Sequence, residues 1–207
     1  YSALVCAKSL KFEDALYLLR ERGKSMQEAV PVGDGGMLAV LGLEVEDVNK
    51  YISQLNTSEV CEIANDNANG QVIVSGNIKS INNLKEILKK NKKKSILLPV
   101  SAPFHCSLMK SASDKMKEKI KKVNFQNPCP SIITNVTAKP ESNPENIKNM
   151  LIEQIYSKVR WRESILFMIN NGITDFVEIG PGKVLSGLVK RINTNSNSIS
   201  VNTINDV

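Results

Sequence analysis

The only histidine of the chain, His105, lies in the run Leu98-Pro99-Val100-Ser101-Ala102-Pro103-Phe104-His105-Cys106-Ser107-Leu108-Met109, between an apolar strand and the start of an amphipathic helix. Imidazole titrates near neutrality, so a histidine held at an element boundary among residues of restricted conformation is a candidate general base. The other reading is an ordinary core or surface histidine. Arg22 is a second candidate. Ala15, Leu18, Leu19, Met26 and Ala29 mark one apolar face of a helix over residues 12–29, and Arg22 falls on that face while Arg20 and Glu21 point away. A guanidinium there calls for an anion, which an acidic ligand or an internal carboxylate could supply, unless its stem snorkels to solvent.

Other chemistries fit poorly. Adjacent residues of an extended segment point to opposite faces, so Cys106 is not expected to act as a nucleophile activated by His105. Gly180-Pro181-Gly182-Lys183 lacks the spacing of a phosphate loop and reads as a tight strand-to-helix turn. One histidine and four cysteines at 6, 61, 106 and 129, with no C-x-x-C pair, give no metal site and read as reduced thiols of an intracellular or organellar compartment. What remains is a base without a visible nucleophile and an arginine without a visible anion. Both gaps close in an acyl-transfer enzyme acting on a dicarboxylate thioester, where the arginine holds the free carboxylate and the histidine activates a serine.

The elements that must position these residues read as follows. Strand 37–43, helix 45–55, strands 60–64 and 71–75 joined through Asn69-Gly70, helix 79–90 and strand 95–100 give the β-α-β-β-α-β order of a ferredoxin-like unit. Residues 31–36 form a plausible hinge before it. Beyond His105, helix 107–123 carries Leu108, Ala112, Met116, Ile120 and Val123 on one face. Lys110, Lys117 and Lys121 lie off that face, as a docking patch or simply a solvated side. Strand 131–135, helices 145–155 and 162–170, strand 175–179 and a helix reaching residue 191 alternate as in a parallel sheet. The Asn/Ser-rich segment 193–200 reads as a loop before a last short strand. The expected class is α/β, with residues 31–106 inserted between 1–30 and 107–207.

Composition narrows the partners. Hydrophobic residues make up 42% of the chain, enough for a core. The net charge of +6 comes from 22 Lys against 5 Arg, alongside 22 Asn, a pairing that AT-rich coding explains. With 5% aromatics and no clustered arginines there is no stacking platform for nucleic acid. The charge still suits an acidic partner. No run approaches the roughly 18 uncharged apolar residues needed to span a bilayer, so no membrane association is expected. Residues 1–7 read as the middle of a helix, and a preceding segment is expected.

Five collinear segments resemble the malonyl-CoA:acyl-carrier-protein transacylase family of type II fatty-acid synthesis, over essentially the whole chain. They are Tyr1-Ser2-Ala3-Leu4-Val5-Cys6-Ala7, similar to the helix after the family's nucleophile elbow; Arg22-Gly23-Lys24 with Met26-Gln27-Glu28-Ala29; Asn65-Asp66-Asn67 followed by Gln71; Pro103-Phe104-His105-Cys106; and Glu178-Ile179-Gly180-Pro181-Gly182-Lys183-Val184-Leu185. Ala68-Asn69-Gly70 replaces the serine- and proline-containing turn of the family pattern.

The resemblance implies an α/β-hydrolase-like large subdomain, incomplete here, with the ferredoxin-like insert. It implies ping-pong transfer of malonyl from malonyl-CoA, through a serine, to the phosphopantetheine thiol of acyl carrier protein, with no cofactor. His105 would be the base and the backbone carbonyl of Gln154 would orient it. Arg22 would clamp the malonyl carboxylate and Asn67 would hydrogen-bond near the base. Phe104 would crowd an α-methyl branch, or serve as ordinary core, and Lys110 and Lys117 would dock the carrier. The serine would lie four residues before Tyr1, so the chain is expected to be inactive without that N-terminal segment. Alternatives are an acyltransferase unit of a polyketide synthase and a non-catalytic carrier-binding fragment. The expected compartment is a plastid stroma of apicoplast type or a bacterial cytoplasm.

Overall fold

Near residue 35 the apolar period changes from that of a helix to that of a strand, and the backbone follows. The computed structural model describes residues 1–206. It opens with α1 (Ser2–Cys6) and α2 (Phe12–Gln27), and continues through β1 (Gly35–Leu41), α3 (Val45–Ile52), β2 (Cys61–Ala68), β3 (Gln71–Asn77), α4 (Ile78–Lys90) and β4 (Lys94–Leu97). These four strands form one antiparallel sheet in the order β2-β3-β1-β4. Gly70, at φ 66°, supplies the left-handed residue that the tight β2–β3 turn requires.

The sheet is covered on both faces. On one, Leu38, Val40, Val72 and Val74 pack against Val48 of α3 and Ile81, Leu84 and Leu88 of α4. On the other, Met37, Ala39, Ala64 and Ile73 meet Leu98 and Phe104, which brings the histidine-bearing segment onto the sheet. Gly35 permits that approach, since a Cβ there would stand 2.4 Å from Pro103.

A 3-10 turn (Ser107–Met109) leads into α5 (Lys110–Lys121), followed by β5 (Ile132–Ile133), β6 (Pro140–Glu141), α6 (Pro144–Glu153), α7 (Trp161–Asn170), β7 (Asp175–Ile179), α8 (Val184–Ile192) and β8 (Asn197–Val201). A second core joins Ala15, Leu18 and Met26 of α2 to Met109, Ala112, Met116 and Ile120, and to Ile147 and Leu151 of α6. The rim pairs Lys119–Glu21 and Lys115–Glu28 tie α5 to α2. The exposed Lys115–Glu28 pair contributes little.

Three expectations from the sequence change. Leu19, placed on the buried face of α2, is 41% exposed, because the stripe runs through residues 15, 18, 22 and 26. The strand expected over 131–135 shrinks to β5, which pairs antiparallel with β6 and, among the described residues, joins no parallel sheet. Prolines 128 and 130 just before it remove ladder donors, and the turn at Thr134–Ala138 folds the chain back at once. Segment 193–200 is not all loop. From Asn197 it becomes β8, paired parallel with β7 in register Asp175↔Asn197 to Ile179↔Val201. The alternation in Ser198-Ile199-Ser200-Val201 is a strand signal that the polar composition conceals. The β7–α8 turn matches expectation, with Gly180 and Gly182 both at positive φ.

Candidate active site

Each candidate side chain is placed by a local feature of the sequence. Arg22 stands one turn beyond Leu18 on the inner stripe of α2, so the packing that buries Leu18 aims the guanidinium inward. It has no ion-pair partner among the described residues. Burial pulls its pKa below the ordinary arginine value, yet an arginine stays cationic at any pH a protein survives.

His105 departs from the extended geometry expected of its segment. Its backbone lies in the left-handed region at φ 60°, where histidine is among the better tolerated non-glycine residues, at a cost of about 1–2 kcal/mol. That turn sends successive side chains to different destinations. His105 reaches the cleft, whereas the Cys106 thiol is fully buried and donates to the Pro103 carbonyl at 3.1 Å. Burial raises the Cys106 pKa. The thiol is therefore a core group and no partner for the base, as the sequence implied for a different geometric reason.

The imidazole Nδ1 lies 3.1 Å from the carbonyl oxygen of Gln154. A carbonyl only accepts, so Nδ1 carries the proton and Nε2 keeps its lone pair. Gln154 is the C-cap of α6, and its carbonyl is one of those that a helix end leaves without an internal partner. The helix is well begun, with Asn143 accepting from the amides of Glu145 and Asn146 ahead of Pro144. A sequence-encoded cap thus fixes the helix whose far end orients the histidine.

Burial lowers the pKa of His105, and the nearby Arg22 charge lowers it further, while backbone bonds at Gln154 and Ser157 pull the other way. The imidazole is therefore neutral at pH 7. The unfolded chain binds a proton near pH 6.5 that the native site refuses, so stability declines as pH drops from there toward the lower folded value.

Arg22 and His105 share one cleft of about 630 Å³ with Phe104, Asn67, Asn65, Gln71 and an apolar wall that includes Met26, Met37 and Leu98. Phe104 both lines the cleft and packs against two cores. Lys110 and Lys117 are exposed on α5, outside the lining of the cleft. No hydroxyl or thiol side chain lines the cleft among the described residues.

Sequence reasoning missed the support behind this wall. Arg191 of α8 donates to the Gln71 side chain at 2.6 Å, and Arg162 of α7 engages Asp66 and Glu44. Partners 96 and 118 positions apart left no local sequence signal for the second.

The arrangement couples a neutral imidazole, a half-buried cation and an apolar wall, which suits acyl transfer from an anionic thioester. Comparison with known proteins agrees. Residues 1–205 match the acyl transferase domain model. The malonyl CoA-acyl carrier protein transacylase of Bacillus subtilis (strain 168) is 45% identical over 204 residues, covering 97% of this chain and 64% of that protein. Its counterpart from Escherichia coli O157:H7 is 40% identical over 193 residues, covering 93% and 62%. The crystal structure of acyl-carrier-protein-S-malonyltransferase from Bartonella henselae superposes with a TM-score of 0.96 at 42% identity, over 100% of this chain and 66% of that one. The chain thus spans a little under two thirds of the length of these relatives. With both its fold and the length of its sequence matched in this way, the chain belongs to the acyl transferase domain family.

Proposed function

We propose that this chain supplies the base and the carboxylate-binding arginine of a malonyl-CoA:acyl-carrier-protein transacylase. The single observation that carries the reading is the convergence of Arg22 and a carbonyl-oriented His105 in one cleft. Nε2 takes the proton of a serine hydroxyl as it attacks the malonyl thioester carbonyl; the C–S bond breaks, and coenzyme A leaves as the thiol. In the second half, His105 takes the proton of the carrier's phosphopantetheine thiol, which attacks the malonyl-serine ester and frees the serine. Because no hydroxyl lines the cleft among the described residues, the serine comes from protein outside residues 1–207. Asn67 borders the acyl group, and Phe104 disfavours an α-methyl branch. Residues 31–106 act as an inserted subdomain, with 1–30 and 107–207 as parts of the larger one.

The same reaction could serve a polyketide pathway. One solved relative, 37% identical with a TM-score of 0.95 over 99% of this chain and 67% of that one, is described as a type II PKS acyl-carrier protein in complex with its malonyl-transacylase. The two readings share every residue role. Among the described residues no helix is long and apolar enough to cross a membrane. The relatives compared are bacterial, which favours a bacterial cytoplasm over a plastid stroma.

The test follows label from malonyl-CoA to carrier protein. The active protein should transfer malonyl, and Lys110→Glu/Lys117→Glu should raise the KM for carrier protein about tenfold while leaving malonyl-CoA kinetics unchanged. An active preparation that transfers no malonyl would overturn the assignment, and an unaltered KM would reduce the α5 lysines to a solvated face.

A further inference from the structure

Asn65 and Asn67 reach the cleft from β2, the outermost strand of its sheet. An edge strand has an unpaired rim, and its placement depends on whatever grips that rim. Here the grip comes from the segment that follows Gln154. Asp66 N–H donates to the Val159 carbonyl at 2.9 Å, and Val159 N–H donates to the Ala64 carbonyl at 2.7 Å, forming one isolated bridge. Asn135 anchors the same segment, donating to the Lys158 carbonyl and accepting from the Arg160 amide, each at 3.0 Å.

Beside the bridge stands an ion pair between a buried carboxylate and a half-buried guanidinium. The Asp66 side chain, only 3% exposed, receives Arg162 Nε at 3.0 Å. The same guanidinium reaches Glu44 and, at 3.4 Å, the Asn69 side-chain oxygen. Glu44 in turn accepts from the Gly70 amide at 2.9 Å. One arginine on α7 therefore holds the middle of β2, the β2–β3 turn and the loop before α3. A buried ion pair is a weak source of net stability, because desolvation offsets the attraction, but its fork geometry fixes register well.

We propose that Arg162 and Asp66 form a positioning pair, holding the strand that carries Asn65 and Asn67 in register with the segment whose Gln154 carbonyl orients His105. Base and asparagines then keep one geometry although one lies in a turn and the others on a strand 40 and 38 positions earlier in the chain. Neither Arg162 nor Asp66 lines the cleft, so both act through other residues. The inference rests on His105 being the base.

The test uses the active protein and reads kcat, KM and melting temperature together. Arg162→Lys keeps a cation near Asp66 but loses the fork to Glu44. It should lower kcat about 10- to 100-fold, with the KM for malonyl-CoA changed by less than about twofold. Asp66→Leu/Arg162→Met replaces the pair with apolar groups, so melting should return to near the parent value while kcat stays low. Recovery of kcat together with melting temperature would overturn the proposal. So would an undiminished kcat in Arg162→Lys, which decides the matter if the double variant does not fold. Full activity in His105→Ala would instead overturn the base assignment beneath it.

Discussion

Replacing His105 with alanine in the active protein is expected to lower malonyl transfer by about a thousandfold or more. Nothing else in the cleft takes its place. The remaining polar groups among its described lining residues are amides and Arg22, none of which accepts a proton at neutral pH. His105 holds a left-handed backbone at φ 60°, a conformation alanine accepts less readily, so His105→Asn is the better-folded companion. Both variants should fail in both half-reactions if, as proposed, one imidazole serves the serine and then the carrier thiol. An asparagine variant that transfers malonyl at the parent rate would remove His105 from the mechanism.

The second large effect concerns selectivity. Arg22 is cationic, substantially buried and without an ion-pair partner among the described residues, so it favours any substrate that brings a carboxylate to it. A malonyl group does so; an acetyl group leaves the guanidinium desolvated and unanswered. Arg22→Ala should therefore lower kcat/KM for malonyl-CoA by about 100-fold or more while acetyl-CoA changes little, bringing the two substrates close together. Arg22→Lys should recover only part of the preference, because an ammonium cannot make the paired contact. A malonyl preference that survives Arg22→Ala would assign the carboxylate to another residue.

Much of this was visible in the residues. The β-α-β-β-α-β order follows from runs of strand period and from Asn69-Gly70, and β7 covers the residues expected of it, 175–179. Arg22 was recognisable because it interrupts a stripe whose period is otherwise apolar. Other features were hidden for physical reasons. The left-handed turn at His105 has no glycine to announce it, since packing of Pro103 against Gly35 and of Phe104 between two cores imposes it from a distance. The strand β8 is masked by serine and asparagine, and its pairing to β7 is a matter of tertiary register. The grip of Arg162 on Asp66 and Glu44 joins residues 96 and 118 positions apart, which no local pattern encodes. Local chemistry thus nominated the reacting groups, while long-range packing determined how they are aimed.

The central claim is directly measurable through the imidazole of His105, whose resonance is assigned as the one that His105→Asn removes. Its titration followed by NMR, and the pH profile of kcat/KM for malonyl-CoA in the same protein, should show one common inflection below 6.5, with activity lost as pH falls through it. Arg22→Met removes a neighbouring positive charge and should move the imidazole titration upward. A rate profile whose acid limb does not coincide with the titration of His105, or a titration indifferent to Arg22, would contradict the assignment of these two residues to one catalytic cleft.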